Sequence, residues 1–171
     1  MFMAERFALA IPLALVAGVA IAADGPGLGK PVSEADLAKW DMSIGPDGKG
    51  LPAGTGTPAQ GAAIFAQKCE VCHGKEGVGG TNAMLANPPG KNGRTMALYV
   101  PYATTIFDFT RRAMPWPQPK SLANDEVYAL TAYILARNKI IGENDVMNAE
   151  TLPKVAMPNR NGFVSRYPEK H

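Results

Sequence analysis

The sequence predicts an all-α fold: short helices gathered around one Cys-x-x-Cys-His motif, with extended N- and C-terminal arms. Three observations predict it. Thr57-Pro58-Ala59-Gln60 is a complete helix start, with a Thr cap, Pro at the first helical position and Gln closing a capping box. Val127, Leu130 and Ile134, with Tyr133 alongside, form an apolar stripe of helical period. Stretches rich in Gly and Pro separate and flank the helical patterns, and they read as loops and turns.

Residues 1–22 read as a signal peptide. Arg6, beside Glu5, leads into the apolar run Phe7 to Ile21, and Ala20-Ile21-Ala22 fits the small-x-small cleavage rule. An uncleaved anchor is the alternative, but the run is short for a membrane span. Cleavage removes one Glu and one Arg, so the formal net charge stays at +2. That balance argues for neither nucleic acid nor, after cleavage, a membrane as partner.

Residues 23–56 form an extended arm of turns around Gly25-Pro26-Gly27, Gly45-Pro46-Asp47-Gly48 and Leu51-Pro52-Ala53-Gly54. Within it, Ser33 caps one short helix ending near Trp40. Trp40, Met42 and Ile44 seek cover, on the domain or on a partner. The helix begun at Thr57 runs to about Lys68. It carries Gly61 and Phe65 on one face, where glycine permits the close approach of a second helix.

Cys69-Glu70-Val71-Cys72-His73 follows. Two thiols and an imidazole at this spacing are the attachment signature of a covalent haem c. The thiols bond to the vinyl groups, and His73 rises beneath the iron as proximal ligand. A closed zinc site needs four ligands, and the chain has two Cys and two His in all, one of them the terminal His171. A thioredoxin-like pair needs a βαβ setting, and none is visible. Haem of this kind is attached outside the cytoplasm, so motif and signal agree on a periplasmic location.

Residues 74–100 contain six glycines and Pro88-Pro89 and read as a loop around the haem edge. Lys91 and Arg94 are candidates to meet a propionate, or are solvated loop charges. Pro101 to Arg112 reads as a helix in which Ile106, Phe109 and Thr110 share a face, with Tyr102 one turn earlier. Arg111 and Arg112 suit its C-terminal dipole or a docking surface. Residues 113–119 contain three prolines and form a stiff loop. Met114 lies on it, 41 residues after His73, and is the candidate sixth ligand through its soft sulfur. Met84, Met96, Met147 and Met157 compete. Asn124 is the expected cap of a helix reaching about Asn138, able to cross the helix that bears Gly61 and Phe65. Residues 139–171 read as an extended tail on the surface.

Residues 57–138 resemble a class I cytochrome c: a helix, Cys-x-x-Cys-His, a Met-Pro loop and a C-terminal helix crossing the first. A wider resemblance takes in Trp40-Asp41, Gly50-Leu51-Pro52, Pro101-Tyr102-Ala103-Thr104-Thr105, Ala113-Met114-Pro115, residues 125–135 and residues 157–163. These are similar to the cytochrome subunits of periplasmic molybdenum sulfite and sulfane dehydrogenases. Val100 departs from that pattern, where Trp is expected, as does Ala123, where a Ser or Thr cap is usual. The resemblance implies Cys69, Cys72, His73 and Met114 as haem-binding residues, with His73 and Met114 on the iron. It implies a mono-haem electron carrier, not catalytic alone. Its electrons would come from a molybdenum-cofactor oxidoreductase subunit and pass to a downstream cytochrome or oxidase. Trp40, Arg160 and Phe163 are the flank residues expected at that interface. The other readings are a freely diffusing cytochrome and a haem enzyme or gas binder.

Overall fold

The structure, a computed structural model, describes residues 28–164 and 166. The expected signal segment lies outside the described residues. Helix α1 (Glu34–Trp40) begins where Ser33 Oγ accepts from the Asp36 amide, but none of its residues is buried. Past it, Ile44 and Leu51 pack on the core.

Strand β1 (Thr55–Gly56) leads into α2 (Pro58–Lys68). Both halves of the expected capping box are present: Thr57 Oγ1 accepts from the Gln60 amide, and Gln60 Oε1 accepts from the Thr57 amide. Then come α3 (Glu70–His73), a 3₁₀ turn (Lys75–Gly77) and α4 (Met96–Tyr99). The segment 74–100 is thus not all loop. Thr95 is buried, accepts from the Leu98 amide and caps α4, and Pro101 follows its end.

Helix α5 (Ala103–Ala113) starts two residues later than the sequence suggests. Its inward face is Ile106, Phe107 and Thr110. Phe109, expected to share that face, is 46% exposed, and Phe107 takes the buried place against Tyr128 at 4.4 Å between ring centroids. Helix α6 (Asn124–Arg137) is the central element, buried from Val127 to Ala136. Asn124 is its first helical residue rather than its cap. Ala123 occupies the cap position, where Glu126 reaches back to its amide at 3.0 Å, so only one half of a capping box forms.

Helices α2 and α6 cross in the most extensive packing between elements. A Cβ on Gly61 would run into the Ala129 carbonyl oxygen and lie 2.6 Å from Tyr133 Cβ. Phe65 meets the Tyr133 ring at 5.2 Å. Glycine at 61 is what lets the two backbones touch.

The tail does more than cover a surface. Strand β2 (Met147–Asn148) pairs antiparallel with β1, Thr55 opposite Asn148 and Gly56 opposite Met147. Met147, Leu152 and Met157 are buried in the same core as α5 and α6. Of the expected interface residues, Trp40 is 84% exposed. Arg160 and Phe163 have partners within the chain: Arg160 lies over the Tyr102 ring at 4.4 Å, and Phe163 meets Tyr99 edge-on at 5.3 Å.

Candidate haem site

Helix α2 ends at Cys69, whose amide still donates to the Phe65 carbonyl at 2.9 Å. Its ψ of −33° with φ of −122° bends the chain, and α3 begins. The amides of Cys72 and His73 both donate to the Cys69 carbonyl, at 3.1 and 3.0 Å. Cys69, Cys72 and His73 are therefore brought together on a single turn. Gly74, at φ 80°, turns the chain back beneath it.

The loop that follows is folded tightly against this turn. The Asn82 amide donates to the Cys72 carbonyl at 3.0 Å, and the Leu85 and Ala86 amides donate to the Gly77 carbonyl at 3.0 and 3.2 Å. A Cβ at Gly80 would collide with the Cys72 carbonyl oxygen and the His73 backbone. The loop places the Ala83 carbonyl 2.8 Å from His73 Nδ1. A carbonyl only accepts, so Nδ1 carries the proton and Nε2 keeps its lone pair free to bind iron.

Both thiols are free and partly exposed. Burial pushes the Cys69 thiol up to about 11, with Lys68 pulling weakly the other way. That is opposite to the depressed thiol of a redox-active pair, which attacks as thiolate. Among the described residues no group of three or more His, Cys, Asp or Glu is arranged to hold a metal ion. Two thiols and an Nε2 on one turn, held over a glycine cradle, fit a covalently attached haem.

Met114 caps the C-terminal end of α5, its amide donating to the Thr110 carbonyl at 3.2 Å. Its backbone is extended, its side chain is partly buried and its bond to Pro115 is cis. Of its competitors, Met147 and Met157 are buried in the core and Met96 packs against it. Met84 is 40% exposed and directly follows Ala83. Lys91 and Arg94 are exposed; Arg94 lines a shallow cavity of about 300 Å³ with Tyr99, Asn159 and Phe163. No described helix is long and apolar enough to cross a membrane.

The residue that sequence reading missed is Ala83. It acts through its backbone carbonyl, which every residue has, so no side-chain pattern marks it.

Residues 56–134 match the family model for cytochrome c oxidase, cbb3-type, subunit III. None of the curated proteins matches. Among solved structures, the chain is similar to the sulfane dehydrogenase SoxCD from Paracoccus pantotrophus. The two are 33% identical, over 84% of this chain and 72% of that one, with a TM-score of 0.72. With this relative, and with its helices crossing around a Cys-x-x-Cys-His turn, the chain belongs to the cytochrome c family and has the class I fold.

Proposed function

We propose that this chain is a periplasmic, mono-haem electron carrier, the cytochrome subunit of a molybdenum sulfite or sulfane dehydrogenase. One observation carries the haem site: His73 Nδ1 is held by the Ala83 carbonyl at 2.8 Å, on the same turn as both thiols. Bound haem supplies a single iron that cycles between ferric and ferrous. The chain's residues supply the rest. Cys69 and Cys72 would hold the group covalently, and His73 Nε2 and Met114 sulfur would ligate its iron. Met147 and Met157 are occupied in the core. Met84 adjoins Ala83, the residue that engages His73, and is 40% exposed. With His73 and Met114 both on the iron, none of its positions would be left open for substrate. The chain would then be an electron-transfer subunit, accepting from its molybdenum partner and passing electrons to a downstream cytochrome or oxidase. The likeness to a sulfane dehydrogenase supports that partner class.

One set of measurements tests this. The ferric protein should show the weak near-infrared sulfur-to-iron band. Met114→Ala should abolish the band and lower the reduction potential while the haem stays attached after denaturation. Sulfite should reduce the wild-type haem only when the molybdenum subunit is present. A band that survives Met114→Ala would assign the ligand elsewhere, and reduction by sulfite without the partner would remove the subunit role.

A further inference from the structure

Two consecutive residues at the end of α6 hold the two limbs of the loop beneath His73. On the first limb, Arg137 Nη2 donates to Glu76 Oε2 at 2.9 Å. On the second, Asn138 Nδ2 donates to the Leu85 carbonyl at 2.7 Å. Leu85 lies two residues past Ala83, whose carbonyl engages His73. The Leu85 and Ala86 amides tie the second limb to Gly77 on the first.

Every polar atom of the Asn138 amide is used in one orientation. Nδ2 also donates to the Ile134 carbonyl at 2.7 Å, and Oδ1 accepts from the buried Thr95 hydroxyl at 2.8 Å. An aspartate here would keep the acceptor for Thr95 but would face two carbonyls with no donor. Asn138 is itself held by the end of α6. The Ile140 amide donates to the Leu135 carbonyl at 3.0 Å, and the Lys139 amide to the Ala136 carbonyl at 2.8 Å. This is a Schellman close, which fixes where the Asn138 side chain emerges.

We propose that Asn138, backed by Arg137, is a positioning residue for the iron-binding imidazole. It fixes the 83–86 segment and thereby the Ala83–His73 hydrogen bond. This rests on the reading of His73 as axial ligand. A hydrogen bond to the far nitrogen of a ligating imidazole raises its basicity, and a more basic ligand favours ferric iron. Loosening the segment therefore raises the reduction potential.

The test uses the full-length haem protein in three variants: Asn138→Asp, Asn138→Ala and, as control, Leu152→Ala. The control disturbs the buried place where the tail packs on α5. Two quantities are read: the midpoint potential, and exchange of the His73 Nδ1 proton with solvent by NMR. Both Asn138 variants should raise the potential and speed exchange on the order of tenfold, the size expected from losing neutral hydrogen bonds. Leu152→Ala should lower the melting temperature and move neither. Wild-type values in the Asn138 variants would overturn the proposal, as would an equal shift in Leu152→Ala. A shift confined to Asn138→Ala would also overturn it, because Asn138→Asp keeps only the Thr95 contact. If wild-type His73 shows the NMR signature of an unligated imidazole, the ligation reading fails and the inference falls with it. That outcome is distinct from a ligated His73 that ignores Asn138.

Discussion

Lys139 is one residue where local geometry and side chain conflict. It sits at φ 59°, in the left-handed position that closes α6 and that glycine fills at least cost. Lys139→Gly should stabilise the protein by up to about 1 kcal/mol, read as a higher denaturant midpoint at unchanged slope. A lower midpoint would show that the lysine side chain contributes more than its backbone costs. Lys68 and Glu126 join α2 to α6 by an ion pair. The Lys68 ammonium, first among the causes, holds the Glu126 carboxyl below its ordinary value of 4.5. A depressed carboxyl contributes stability that is present above about pH 4.5 and lost as pH falls through the folded value. Both side chains are partly exposed, so the pair contributes under about 1 kcal/mol. Lys68→Met should therefore lower the melting temperature slightly at neutral pH, and the gap should close as pH falls through the folded value of Glu126. A gap that persists unchanged in acid would assign the effect to packing. The Cys-x-x-Cys-His turn was legible at this scale because thiols and imidazoles are rare and their spacing is chemical. The Ala83 carbonyl and the Asn138 amide were not, because each acts through a partner brought close only by folding.

Among the elements, the α2–α6 crossing tolerates least. Gly61→Leu should cost about 2–3 kcal/mol, toward the upper end for overpacking, because the added atoms meet backbone at Ala129 and not a movable side chain. An unchanged melting temperature would show that the helices part freely. This crossing was readable in advance, since the capping box, Gly61 and the stripe on α6 all point to the same contact. Helix α5 was readable only in part. Its period permits either Phe107 or Phe109 to face inward, and packing against Tyr128 decided for Phe107. Helix α4 is one turn long, too short for any periodic pattern, and only Thr95 and Pro101 mark its ends. Helix α1 matched its cap signal but buries nothing. Removing the arm through Asp41 should therefore leave the melting temperature and the haem unchanged and weaken only the proposed complex with a molybdenum subunit. A clear drop in melting temperature would instead give the arm a place in the fold. The cut belongs before Ile44, which already packs on the core.

At the scale of the molecule, the two flanks of the haem unit are joined. The pairing of β1 with β2 was invisible in the sequence: each strand has two residues, too few for an alternating pattern, and they are brought together across the whole length of α2 to α6. Leu152 and the neighbouring methionines gave no periodic sign of burial, since a two-residue strand, a 3₁₀ turn (Leu152–Lys154) and irregular chain carry them inward. The join also orders events in time. Synthesis delivers Cys69 and Cys72 well before Met147 and Asn148. Every nascent chain thus passes through a stage in which both thiols exist, β1 has no partner strand and the core lacks Met147, Leu152 and Met157. The last segment to be made is thus the one that completes the core begun by the first.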